Sequence, residues 1–252
     1  METNKIYNED CLETMKRMSN NFVDLTVTSP PYDNLRDYKG YIFNFESIAK
    51  ELFRVTKVGG VVVWVVGDAT IKGSETGTSF KQALFFKDCG FNLHDTMIYM
   101  KDGFSFPDKN RYYACFEYMF VFSKGKPIVI NQIADKKNKH AGSIISGVNR
   151  NLDGSTKKMS CSGNKINEFG IRGNVWKITP QKSNRVHPAM FPEQLANDHI
   201  ISWSNENDLV YDPFIGSGTT AKMAIKNNRN YIGSEISKEY CDIIHDRLNK
   251  EE

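Results

Sequence analysis

One stretch toward the C-terminal end restricts this chain more than any other. Leu209 to Asp212 read as a short apolar strand, Pro213-Phe214-Ile215-Gly216-Ser217-Gly218 as a tight loop, Thr219 to Lys226 as a helix, and Tyr231 to Ser234 as a second strand that ends at Glu235. Gly216 and Gly218 let the backbone turn sharply and approach a ligand with no side chain in the way. Strand, glycine turn, helix, strand and acid together are the plan of an α/β unit that holds a nucleoside, with Glu235 placed to accept two hydrogen bonds from a ribose diol. Gly218 is followed by Thr219 and Thr220 rather than by lysine, which disfavours a triphosphate. The glycine turn taken alone also fits a plain strand-to-helix connection. Asp212, at the end of its strand, suits either holding the loop or meeting the amino group of a cofactor.

A chain of 252 residues buries about 70–75% of its unfolded surface, enough for an enzyme-sized core without disulfide or metal staples. The five cysteines, Cys11, Cys89, Cys115, Cys161 and Cys241, form no close pair and no zinc knuckle, so no metal is expected and a reducing cytoplasm fits best. No apolar leader follows Met1, and the most apolar run, Gly59 to Gly67, is too short to cross a bilayer and suits a buried strand.

The N-terminal part also reads as α/β. Ile6 and Tyr7 begin a strand, Asp10 and Glu13 resemble a capping box, and Leu12, Met15 and Met18 mark a helix stripe. Phe22 to Thr28 form a strand that must leave its sheet at Pro30-Pro31, because neither proline donates a ladder hydrogen bond. A helix over Phe45 to Val55, the strand Gly59 to Gly67, a helix over about Phe80 to Lys87, and strands near Asn92 to Met100 and Phe116 to Ser123 follow. This alternation predicts a mostly parallel sheet covered on both sides, with the later strands as an antiparallel edge. Beyond Pro192, read as a first helical residue, Leu195, Ala196, His199, Ile200 and Trp203 share a helix face.

Between Gly125 and Pro180 the periodicity fades, and Val175, Trp176 and Ile178 stand out as apolar anchors. From Lys124 to Arg185 there are 13 Lys and Arg against Asp135, Asp153 and Glu168, a local +10; the rest of the chain carries 20 basic against 27 acidic residues, or −7. A localised positive surface of this kind is what nucleic-acid backbone binding requires, although a solvated insertion would share the composition.

Thr28-Ser29-Pro30-Pro31-Tyr32 and Asp212-Pro213-Phe214-Ile215-Gly216-Ser217-Gly218-Thr219 together resemble the catalytic and cofactor motifs of the beta-class S-adenosylmethionine-dependent DNA amino-methyltransferases, catalytic motif first. The resemblance implies a circularly permuted Rossmann-like methyltransferase sheet with helices on both faces. Residues 1–124 would be the catalytic half, 125–185 the inserted basic target-recognition region, and 186–252 the methyl-donor half. It assigns S-adenosyl-L-methionine to Asp10 and Cys11, to Asp212, Phe214, Gly216, Ser217, Gly218 and Thr219, to Glu235 and Ile236, and to His187, Phe191 and Pro192, with S-adenosyl-L-homocysteine as product. Asp10 serves equally well as a helix cap.

An exocyclic amine is a poor nucleophile because its lone pair is delocalised into the ring. The Ser29 side chain and the Pro30 carbonyl are suited to accept its two N–H groups, Pro31 to set the turn and Tyr32 to stack on an extracted base. No cysteine has the setting that ring-carbon methylation demands. Duplex DNA is the implied partner, through Arg36, Lys39, Arg111, Lys136, Lys137, Lys139, Arg150, Lys157, Lys158, Arg172 and Arg185; the charges at 36 and 39 would also serve simply to solvate a loop. Family resemblance permits a homodimer and a cognate restriction endonuclease. Serine at position 29 leans toward cytosine N4, with adenine N6 as the alternative and a nonenzymatic nucleic-acid-binding protein as the alternative of a different class.

Overall fold

The computed structural model describes residues 1–31, 43–103, 109–181 and 191–249. In chain order the elements are β1 (Lys5–Tyr7), α1 (Cys11–Lys16), β2 (Val23–Thr28), α2 (Phe45–Val55), β3 (Thr56–Val66), the hairpin β4 (Thr70–Ile71) and β5 (Ser74–Glu75), α3 (Thr78–Asp88), β6 (Asn92–Lys101) and β7 (Phe116–Ser123). Four short strands follow, β8 (Lys136–Lys137), β9 (Val148–Arg150), β10 (Thr156–Lys158) and β11 (Phe169–Gly170). The chain then forms β12 (Val175–Ile178), α4 (Glu193–Trp203), β13 (Leu209–Asp212), α5 (Thr219–Lys226), β14 (Asn230–Ser234) and α6 (Lys238–Leu248).

Eight strands form one sheet in the order β1-β14-β13-β2-β3-β7-β6-β12. Every neighbouring pair is parallel except β3 with β7 and β7 with β6, so β7 alone runs against the rest. The expected antiparallel edge is therefore corrected. The reversed strand is internal, and the edge beyond it is the parallel β12. Met119 to Phe122 are buried, which an interior strand achieves and an edge strand would not. The anchors Val175, Trp176 and Ile178 belong to this edge strand, a run of four residues too short to reveal its period.

Strand β3 explains how the sheet is covered. Val62, Trp64 and Val66 pack with Met15 of α1, Ile48 and Leu52 of α2 and Phe86 of α3, while the alternating Val61, Val63 and Val65 are buried toward the other face. The Trp64 indole N–H, which burial would otherwise strand, donates to Gln82 Oε1 at 2.8 Å. Asp10 caps α1 by accepting from the Leu12 N–H at 2.7 Å. Glu13 pairs with Lys16 at 2.6 Å instead of closing the expected capping box, since the lysine one turn on offers it a cation. Pro192 stands one position earlier than expected, as the N-cap of α4. Among the described residues, no helix is long and apolar enough to cross a membrane.

The chain divides into two compact units, Met1–Asn131 with Asn174–Glu252, and Gln132–Gly173. The smaller unit contains two antiparallel pairs, β9 with β10 and β8 with β11, and an isolated bridge between Ile144 and Lys165.

Candidate active site

Parallel register brings four strand ends to one edge. Tyr7 of β1 lies opposite Ser234 of β14, Gly233 opposite Asp212 of β13, and Tyr211 opposite Thr26 of β2. The segments that leave these strands, beginning at Asn8, Glu235, Pro213 and Ser29, therefore emerge together. In an open α/β sheet this carboxyl edge is where ligands bind.

The glycine loop turns through left-handed backbone at Gly216 (φ 53°) and Gly218 (φ 81°). A Cβ on Gly218 would also stand 2.8 Å from Ile244 Cγ2, so both conformation and space demand glycine there. The Gly216 N–H donates to Glu235 Oε2 at 3.1 Å and the Ser237 N–H to Oε1 at 2.8 Å. Burial pushes the Glu235 carboxyl above its ordinary value, with these backbone bonds opposing the shift. The two oxygens together offer about four lone-pair sites, so acceptor capacity for a diol remains. Asn8 Nδ2 donates to the carbonyls of Glu235 (2.9 Å) and Ile236 (3.1 Å), tying the end of β1 to the end of β14.

Asp212 joins the two sequence motifs. Its Oδ1 accepts from the Thr28 hydroxyl at 2.6 Å and the Phe214 N–H at 3.0 Å, and its Oδ2 from the Thr220 hydroxyl at 2.7 Å. Burial pushes this carboxyl up to about 6, and the three bonds moderate the rise. Of the two roles open to Asp212 in the sequence, its contacts are those of the loop holder. Behind it the Tyr211 hydroxyl lies 3.0 Å from Ser234 Oγ, a bond between the strands that flank the loop.

The sequence model of the N6/N4 DNA methylases matches residues 23–246. The chain belongs to this family. It is 65% identical over 235 residues to the orphan methyltransferase M.BamHII of Bacillus amyloliquefaciens, covering 90% of this chain and 88% of the relative. The type II methyltransferase M.BglII of Bacillus subtilis is 29% identical over 267 residues, covering 98% of this chain and 69% of that one. The fold is shared with the cytosine-N4-specific PvuII DNA methyltransferase (TM-score 0.68, 20% identity, covering 99% of this chain and 94% of that one). It is shared too with M1.HpyAVI in its complex with S-adenosylmethionine (TM-score 0.63, 23% identity, covering 97% and 99%). The protein is a site-specific, S-adenosylmethionine-dependent DNA methyltransferase that acts on an exocyclic amine, cytosine N4 or adenine N6, of a base flipped from duplex DNA.

The methylase residues at the sheet edge suit that cofactor chemically: a strand-end carboxylate with spare acceptor sites, a glycine turn that admits a close ligand, and the half-exposed apolar side chain of Ile236 (46%) beside them. Of the other residues expected to line the pocket, Cys11 is buried at the start of α1, Ser217 is buried in the loop and Thr219 is buried at the start of α5. Phe214 meets Phe43 edge-on at 5.7 Å and Trp64 at 6.3 Å. Phe191 is half-buried and Pro192 buried; at the catalytic motif, Ser29 and Pro31 are half-buried and Pro30 buried. Tyr32, Arg36, Lys39, Arg185 and His187 lie outside the described residues.

The basic residues fall into two groups. Lys136, Lys137, Lys139, Arg150, Lys157 and Lys158 are exposed in the smaller unit. Arg172 instead grips both oxygens of Asp135 through Nε and Nη2, and Arg111 donates to the Gly73 carbonyl and lies 3.7 Å from Glu75. The sequence reading missed the two threonines on Asp212, the Asn8 amide, and the charged group Glu193, Lys222 and Arg247 behind the glycine loop. Thr28 and Thr220 carried a signal, since the first opens the catalytic motif and the second directly follows the donor motif. The charged group carried none, because its members stand on three separate helices.

Proposed function

We propose that the methylase modifies the N4 amine of cytosine within a short duplex sequence, and that its site is the carboxyl edge of the sheet. The observation that carries this reading is Ser29, placed directly after Thr28, whose hydroxyl is bonded to Asp212 and so fixed relative to the donor loop. A serine oxygen and the Pro30 carbonyl each accept one N–H of the target amine, holding its nitrogen in the direction of attack. Pro31 sets the turn and Tyr32 stacks on the flipped base. S-adenosyl-L-methionine, when bound, supplies an electrophilic sulfonium methyl group and leaves as S-adenosyl-L-homocysteine. Glu235 accepts its ribose hydroxyls, Ile236, Phe214 and Phe191 flank its apolar surfaces, and Cys11, with Asp10 at the cap of α1, borders the base. The amine proton passes to water.

The region 125–185 recognises the target in this reading, with the exposed lysines of its compact unit and Arg150 neutralising phosphates. A reducing cytoplasm belongs to this reading, as the wide spacing of the five cysteines along the sequence suggests. Base-resolved sequencing of duplex DNA treated with the purified protein and the donor tests the assignment. N4-methylcytosine at one sequence is expected. N6-methyladenine would transfer the role of Ser29 to the alternative amine, and unmodified DNA would refute the catalytic reading.

A further inference from the structure

Arg247 stands near the end of α6, in no motif, with a side chain only 18% exposed. Its Nη1 donates to the Ser217 carbonyl at 2.8 Å and to Thr219 Oγ1 at 3.1 Å, and lies 3.3 Å from Ser217 Oγ. Its Nη2 donates to Glu193 Oε1 at 2.6 Å, and the same oxygen accepts from Lys222 Nζ at 3.0 Å. Glu193 is the first residue of α4, immediately after Phe191 and Pro192. One planar fork therefore fastens two separate segments at the edge described above, the glycine loop and the entry to α4.

The loop needs an external fastening. Its two glycines sit in left-handed backbone, where the unfolded chain has the most freedom to lose, and α5 begins with Gly218 as N-cap and no side-chain cap bond. Arg247 draws the Ser217 carbonyl back toward α6, while the N–H of the preceding Gly216 donates to Glu235. Loop position and carboxylate orientation are thereby linked across two adjacent residues. The Glu193 carboxyl is itself well satisfied: burial alone would raise it, and bonds from Lys222 and Arg247 hold it below its ordinary value.

We infer that Arg247 is a positioning residue for the methyl donor: it acts through Ser217 and Gly216 to hold Glu235, and through Glu193 to hold the Phe191 segment, without touching the donor itself. The inference rests on the donor-site reading above and adds a residue that no motif contains. Lysine cannot replace it in full, because an ammonium is a point charge without the fork that spans loop and carboxylate.

The test compares Arg247→Met, Arg247→Lys and Glu193→Gln with Glu235→Ala in the full chain. Calorimetric titration of S-adenosyl-L-methionine gives its Kd, steady-state methylation of duplex DNA gives KM for the donor and kcat, and thermal melting gives Tm. Arg247→Met is expected to raise donor Kd and KM by about tenfold or more, with kcat at saturating donor within about twofold; Arg247→Lys and Glu193→Gln fall between it and the parent. If a folded Arg247→Met binds the donor as the parent does while Glu235→Ala binds it weakly, the inference is overturned and the donor site stands. If neither weakens binding, the donor-site reading falls as well. A lower Tm and kcat with unchanged donor KM would mark Arg247 as merely structural. Should Arg247→Met fail to fold, parental donor affinity in both milder variants overturns the inference equally.

Discussion

Asp212 offers the most quantitative test of how the two motifs are joined. Its carboxyl is fully buried and raised from an ordinary 3.8 to about 6. A carboxyl whose folded-state value is raised binds its proton more tightly in the folded state, so its contribution to stability is greatest below the unfolded value and is lost as pH rises through the folded one. The shift of about 2.2 units corresponds to about 3 kcal/mol at 1.36 kcal/mol per unit, and about 2 kcal/mol of that falls between about pH 4.5 and 7.5. Asp212→Asn keeps the shape but cannot ionise: its amide oxygen still accepts from the Thr28 hydroxyl and the Phe214 N–H, while its NH2 group replaces Oδ2 and donates to the Thr220 hydroxyl oxygen. Urea unfolding of both proteins across this range should therefore show the asparagine variant gaining about 2 kcal/mol on the parent from low to high pH. A difference that stays flat with pH would refute the argument, because it would mean that Asp212 ionises in the folded protein as readily as in the unfolded one.

Three further outcomes follow from the site. Glu235→Ala should weaken donor binding by about 1.5–3 kcal/mol, the range of a charge-assisted hydrogen bond, as read by calorimetry; a folded variant with parental affinity would remove Glu235 from the ribose role. Ser29→Ala should slow single-turnover methyl transfer by more than it changes donor Kd, since its partner is the target amine, and parental transfer would leave only the Pro30 carbonyl as acceptor. Replacing Lys136, Lys137 and Lys139 together by glutamine should weaken DNA binding and reduce the slope of log affinity against log salt by about 0.9 for each phosphate no longer neutralised. Filter binding over a salt series that gives an unchanged slope would return these lysines to the solvated surface.

Much of the fold was legible because its signals are local. The bounds of α2, β7, β13 and α5 coincide with those read from apolar spacing, loop composition and the glycine turn. Strand direction is not local: nothing in Phe116 to Ser123 says that it runs against both neighbours, and Val175 to Ile178 are too few to display a period. At the candidate site, the left-handed turns at Gly216 and Gly218 and the strand-end place of Glu235 were legible because backbone conformation and strand ends leave a residue-type signature. The partners of Asp212 and the Arg247 group could not, because Arg247 and Glu193 are 54 positions apart and meet only through packing.

The sheet order also bears on when the enzyme can first work during its own synthesis. Thr28 bonds a residue 184 positions later, and Asn8 one 227 positions later. A chain leaving the ribosome N-terminus first therefore carries β2 with β3 on one side and a bare ladder on the other until β13 emerges, and β1 has no partner until β14 does. Contacts this distant in sequence form slowly, and an open strand edge invites pairing with other chains in the interval. The carboxyl edge at which β1, β2, β13 and β14 end is likewise complete only once β14 has been made.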